Sequence, residues 1–186
     1  TRLVFFCVGR TTNIAYIFGW FGLSTWWLAL RTGNEKPATV RMVTEKGMKI
    51  CMATATGAHP AWMAHRHPDI LRTEFNGMKR KFGGRHNSCP NSPTFHLYSV
   101  RLAAKLAEHY RNQDNIVAWH IGNEYGGICY CENCEKAFRI WLQKKYGTLE
   151  KLNQVWNTHF WGHTFYDRDE IVAPKLLTEP FDSNRS

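Results

Sequence analysis

Two stretches carry residue types whose spacing can do chemistry. The first is Ile116-Val117-Ala118-Trp119-His120-Ile121-Gly122-Asn123-Glu124-Tyr125-Gly126-Gly127, an apolar run that ends in an amide, a carboxylate and a Gly-Gly break. A glutamate at the mouth of an apolar strand is partly desolvated. That raises its pKa and suits it to give and take a proton near neutral pH. Asn123 beside it can hydrogen-bond a substrate hydroxyl. An ordinary turn, with Asn123 and Glu124 capping the next element, explains the pair equally well from spacing alone.

The second stretch begins five residues later. Cys129-Tyr130-Cys131-Glu132-Asn133-Cys134 packs three thiols into six residues, and Cys89 stands in its own Ser88-Cys89-Pro90 turn. Thiols this close together rarely arise as core filler, and four thiolates favour a tetrahedral structural zinc. An iron–sulfur cluster is the other metal reading, and reduced cysteines without metal the bland one. Cys89 is the candidate fourth ligand because its loop precedes the same strand. Cys7 and Cys51 stand alone in apolar surroundings and read as core thiols. If Cys89 shares a metal with the later three, Arg85 in Gly84-Arg85-His86 is drawn toward Glu124. Its guanidinium there suits sugar hydroxyls or a carboxylate. Without the metal, Arg85 reads as a surface residue of a basic loop. His59, His86 and His120 read as hydrogen-bonded structural groups rather than ligands.

The elements that position these groups follow from periodicity. Residues 44–48 read as a helix end stopped by Gly47, and Lys49–Ala55 as a short buried strand. Pro60 opens a short helix over Ala61–His67. Residues 68–94 form a long polar loop, and a loop of that length in a compact domain usually has a job. Thr94 is expected to cap an amphipathic helix over Phe95–Arg111. Ile116–Ile121 is expected to be a strand covered on both faces. A helix over Glu135–Tyr146 ends at Gly147, and Thr148 opens another with Leu149, Leu152 and Trp156 toward the core. Residues 157–169 form an aromatic loop carrying Phe160, Trp161, Phe165 and Tyr166. This alternation is the grammar of parallel α/β proteins, in which active sites gather at strand C-termini. A whole (β/α)₈ barrel needs roughly 250 residues. The 186 residues here are therefore expected to form part of one, with strands up to about the fourth.

The totals set bounds. The formal charge is +9, but Lys and Arg are scattered and build no basic helix, so the charge reads as a solubility feature rather than a nucleic-acid footprint. The cysteine spacing is not that of a secreted disulfide framework, and no secretory signal opens the sequence, which gives a cytoplasmic expectation. Thr11–Leu30 lacks charge and would just span a bilayer. Its Thr, Asn, Ser and Gly content favours a buried strand–turn segment instead, so no membrane contact is expected.

At four places in order the sequence resembles β-galactosidases of glycoside hydrolase family 42. These are residues 53–62, residues 84–93, the 118–127 stretch around Asn123-Glu124, and Trp156-Asn157-Thr158 with Phe160-Trp161. The resemblance runs from about Val43 to about Pro174. It implies a (β/α)₈ TIM barrel and retaining hydrolysis of terminal β-galactosides or galacto-oligosaccharides. It also implies Glu124 as acid/base at the end of the fourth strand, and Arg85 and Asn123 as substrate-binding positions. Cys89, Cys129, Cys131 and Cys134 become the ligands of a structural zinc, and the family tends to assemble as trimers. The family's nucleophile is a Glu on a late strand outside these residues, so the isolated stretch is expected to be inactive. Glu170 and Glu179 lack the strand context for that role. Residues 1–42 depart from the family pattern and are expected to be an atypical segment, read partly out of frame. Residues 43–174 are then the barrel part and 175–186 a polar tail. Two rival readings are a zinc-stabilised nucleic-acid module and a carbohydrate-binding remnant using the aromatic loop and Arg85.

Overall fold

The computed structural model describes residues 14–17, 38–54, 56–122 and 126–174, with the side chains of 14–17 and of Ala38 and Thr39 left aside. Asn123, Glu124, Cys7, Glu179 and most of residues 1–37 lie outside the described residues. The described chain forms two compact units. One draws on stretches within 1–68, 81–87 and 96–126, the other on stretches within 69–80, 88–95 and 127–186.

The first unit holds a three-stranded sheet in the order β1 (Ile14–Ile17), β2 (Lys49–Ala53), β3 (Ile116–His120), with both pairings parallel. Parallel neighbours need a crossover between them, and helices supply it. Helix α1 (Ala38–Glu45) leads into β2. It buries Val40 and Val43 and ends at Gly47, whose φ of 65° is a left-handed stop that glycine adopts without strain. Met48 N then donates to Val43 O, and Asn115 Nδ2 donates to Met48 O, so the entries to β2 and β3 are tied together. Helix α2 (Ala61–Arg66) follows β2, with Pro60 at the N-cap position and Met63 fully buried. Helix α3 (Pro93–Tyr110) precedes β3 and buries Leu102, Leu106 and Tyr110, a stripe spaced four residues apart.

Two expectations are corrected in these elements. Helix α3 is capped by Ser92, not Thr94. Ser92 Oγ accepts from Phe95 N at 3.2 Å, and Pro93 takes the first helical position, where a missing N–H costs nothing. Strand β3 is not covered on both faces. Among the described residues Val117, Ala118 and Trp119 are exposed, and β3 stands at the edge of the described sheet.

The second unit is built on helix α4 (Glu132–Tyr146) and helix α5 (Leu149–Trp156). Helix α4 begins three residues earlier than its apolar period suggests, with Cys131 as N-cap residue and Glu135 N donating to Cys131 O at 3.0 Å. Thr148 caps α5 through Lys151 N, as its sequence predicts. Leu142, Leu152 and Ile171 form a buried cluster flanked by Phe138, Tyr146, Leu149 and Phe165. Trp156, expected in the core, stays 37% exposed at its rim and donates through Nε1 to Tyr146 Oη. The expected loop over 68–94 contains a short 3₁₀ turn (Pro68–Ile70) and two antiparallel bridges, Leu71 with Ser88 and Thr73 with Lys79.

Among the described residues no helix is long and apolar enough to cross a membrane, and Ile14–Ile17 is a strand.

Candidate functional site

The strand ends come first. In a parallel sheet every strand presents its C-terminus on the same side, where loop side chains converge on a ligand. At the end of β2, Thr54 is buried. Its N–H donates to His120 O at 3.1 Å, and its hydroxyl donates to Ile121 O at 2.8 Å and contacts Thr56 Oγ1 at 3.1 Å. These bonds clamp the end of β3 to the end of β2, just before Gly122 delivers the chain to residues 123 and 124. The loop carrying Arg85 is anchored at the same end. His86 N donates to Gly57 O at 2.9 Å, and Asn87 Nδ2 donates to Lys81 O at 2.7 Å. His86 holds a φ of 59°, a conformation that costs a non-glycine residue energy and is kept only where surroundings enforce it. Arg85 itself is exposed. His59 is 4% exposed, and burial pushes its imidazole below the ordinary histidine range, so it stays neutral near pH 7. The structure thus brings Arg85 to the strand-end side; Asn123 and Glu124 lie outside the described residues.

The second site lies wholly within the second unit. One ligand atom from each of Cys89, Cys129, Cys131 and Cys134 lies within 4.8 Å of all the others. Cys131 Sγ is 3.3 Å from Cys89 Sγ, and Cys134 Sγ is 3.4 Å from it. A tetrahedral ion with metal–sulfur bonds of about 2.3 Å puts its sulfurs about 3.8 Å apart. Four thiols already gathered to this spacing fit such an ion with small adjustments.

Three segments bring the thiols together. Cys89 N donates to Ile70 O at 2.7 Å and Ser92 N to Cys89 O at 3.2 Å, closing a tight turn through Pro90 and Asn91. Tyr130 N donates to Thr73 O at 3.0 Å, which seats the 129–131 stretch on the 71–73 segment. Cys134 rides on the first turn of α4. Ser92, fully buried, donates to Asp69 Oδ2, and Asn133 Nδ2 donates to Asp69 O. Gly127 has a φ of 79°, and a Cβ there would collide with Nη1 of the buried Arg72.

Three of the four thiols are strongly perturbed by one another and by burial. A hydrogen bond from Cys89 and backbone N–H groups of Thr73 and Cys131 hold Cys129 down to about 4, making it the thiolate of the group. Its hydrogen bond to Cys129, with burial, pushes Cys89 far up, and burial pushes Cys134 up to about 11. Packed negative charges oppose one another; a divalent cation reverses that and releases the protons.

Cys51, expected in the core, is half-buried on β2, and burial raises its thiol pKa. Glu170 is a capping carboxylate. Its Oε2 accepts from Tyr166 N at 2.7 Å and Asp167 N at 3.1 Å in a capping box with Asp167. Asn91 escaped the sequence reading: its Nδ2 lies 3.4 Å from Cys134 Sγ. Its place two residues past a ligand, after a proline, was the available signal.

Parallel strands joined through helices, with loops gathered at their C-terminal ends, make this part of a (β/α)₈ barrel. The β-galactosidase model of glycoside hydrolase family 42 matches residues 38–185, and the chain belongs to that family. Over 147 residues it is 60% identical to β-galactosidase BgaP of Planococcus sp. strain L4, covering 79% of this chain and 22% of that protein. It is 49% identical over 138 residues to β-galactosidase LacZ of Lactobacillus acidophilus, covering 74% and 21%. Among solved structures, the β-galactosidase of Bacillus circulans sp. alkalophilus superposes with a TM-score of 0.76 at 51% identity, over 92% of this chain and 26% of that one. That of Rahnella sp. R3 gives 0.77 at 34% identity, over 90% and 25%. The chain spans about a fifth of the length of the curated relatives it matches.

Proposed function

We propose that the protein hydrolyses terminal non-reducing β-D-galactosides with retention of anomeric configuration. Glu124 is its acid/base, and Arg85 and Asn123 bind substrate. The observation that carries this is the position of Gly122-Asn123-Glu124, directly after a clamped parallel strand in a chain of the β-galactosidase family. Retaining hydrolysis uses two carboxyl groups about 5–5.5 Å apart. Glu124 protonates the glycosidic oxygen as the leaving group departs, while a second carboxylate, supplied from outside these 186 residues, attacks the anomeric carbon. Glu124 then takes the proton of the water that releases the sugar. Arg85 and Asn123 hold the galactose hydroxyls, so that the anomeric carbon meets both carboxyl groups.

Cys89, Cys129, Cys131 and Cys134 hold a structural zinc in this reading. The ion supplies cross-linking and charge compensation, and four protein ligands leave no open position for substrate. Homotrimeric assembly is the form expected of the whole protein, to be read by sedimentation.

Proton NMR of the first sugar released by the full-length protein tests the proposal. The β-anomer is expected first, slowly mutarotating. Initial release of the α-anomer, or no galactoside turnover, would contradict it.

A second reading, sugar retention without turnover, draws on one feature. Phe160 and Trp161 stack at 4.6 Å between centroids on the surface, and Trp161 is 78% exposed with a φ of 49°. A bulky residue held in a left-handed conformation and presented to solvent suits a stacking platform. Galactose binding lost in Trp161→Ala, without hydrolysis in the parent, would favour this reading.

A further inference from the structure

The turn Cys89-Pro90-Asn91-Ser92 is fixed at both ends. Cys89 is a ligand candidate at its first position. Ser92 at its last is buried, bonded to Asp69 and to the first turn of α3. The 3.2 Å bond from Ser92 N to Cys89 O closes it, with proline in the second position and asparagine in the third, residues that suit such turns. The turn fixes the backbone from which the asparagine side chain projects, and its amide nitrogen lies 3.4 Å from Cys134 Sγ. Asn91 and Cys134 are 43 residues apart in sequence, so this contact spans two of the segments that build the site.

Four thiolates around one divalent cation carry a net charge of −2. That charge is stable in a partly buried place only if N–H groups draw it off the sulfurs. Cys134 is a half-buried member of the set, and Asn91, itself exposed, sets its amide nitrogen 3.4 Å from that sulfur. A donor there draws negative charge off the sulfur and so steadies the metal-bound thiolate.

We propose that Asn91 is a positioning residue of the metal centre, whose side-chain N–H···S bond to Cys134 sets how tightly the ion is retained. This rests on the zinc reading above. Asn91 touches neither substrate nor the reacting atoms.

The experiment compares the full-length protein with Asn91→Ala and Asn91→Asp. Zinc release to an excess of a chromogenic chelator is timed, and each protein is also loaded with cobalt(II) for its sulfur-to-metal charge-transfer band. Asn91→Asp keeps the shape, removes the donor and adds negative charge beside the thiolates. Outer-shell changes typically cost 10–100-fold in metal affinity. Release is therefore expected about tenfold faster in Asn91→Ala and faster still in Asn91→Asp. The charge-transfer band should move to lower energy in both, because a sulfur without its donor gives up electrons more readily. A merely structural role leaves that band in place. Release within about twofold of the parent, or an unmoved band, overturns the role of Asn91 while leaving the zinc site standing. A parent protein that takes up no zinc overturns both.

Discussion

The cysteine corner and the strand ends are two ways of building a site from one chain. The corner gathers three thiols from six residues and a fourth from a tight turn, so all four candidate ligands lie within the described residues. At the strand ends Thr54, Ile121 and the loop carrying Arg85 come from three stretches that a parallel sheet brings to one side. Local sites are held by turns and caps. Distributed sites are held by the register of the sheet, so damage should act on the two regions through different routes.

The largest separation comes from Cys89→Ser. Zinc content is expected to fall from one ion per chain to almost none, and the second unit to lose protection in hydrogen exchange, because metal binding and folding share one free energy. The β2–β3 amides should change far less; equal loss in both regions would erase the contrast.

Next in size is Gly127→Ala. The new methyl meets Arg72 and the residue must hold φ 79°, so a loss of about 1–3 kcal/mol in chemical denaturation is expected. No change would mean that Arg72 is free to move aside.

Ser92→Ala removes the cap of α3 and the bond to Asp69 together. About 1–2 kcal/mol is expected, with part of the loss appearing as weaker zinc retention because the same turn carries Cys89. A loss confined to helix stability would separate the cap from the metal corner.

The smallest effect is a pH dependence from His59. Its folded pKa lies below the unfolded value of about 6.5, so the unfolded state binds more protons between the two. Its contribution is full above about pH 6.5 and is lost as pH falls toward the folded value. Stability in His59→Gln should decline less over that window; an identical pH profile would place the burial cost elsewhere.

The same contrast decides what the sequence could reveal. Three of the four thiols are legible because they sit at fixed short spacing, and Gly47, Gly147 and Thr148 mark helix ends through local backbone rules. The start of α4 was not, because Cys131 occupies the N-cap position without the polar side chain that signals a cap. Ser92 was passed over for Thr94 because both are capping types and Pro93 decides between them. The apolar run of β3 reads as doubly buried, since periodicity reports what a strand is suited to pack against. Among the described residues Val117 and Trp119 are nevertheless exposed, since what covers a face is set by elements far away in sequence. Glu170 lacks strand context in the sequence, and its capping box with Asp167 is a local role that the Asp167–Glu170 spacing allows. The Asn91 contact with Cys134 could not be read because it joins residues far apart in sequence.

Azide rescue of Glu124→Gln in the full-length protein probes the proposed acid/base role of Glu124 in a retaining β-galactosidase. General acid–base catalysis is typically worth 10²–10⁴-fold, so alkyl and sugar aglycones should lose about that much. An activated dinitrophenyl galactoside needs no proton to leave and should keep its glycosylation step. Azide, which needs no base, should then restore turnover and yield β-galactosyl azide. Equal loss for every leaving group, with no azide product, would contradict the assignment.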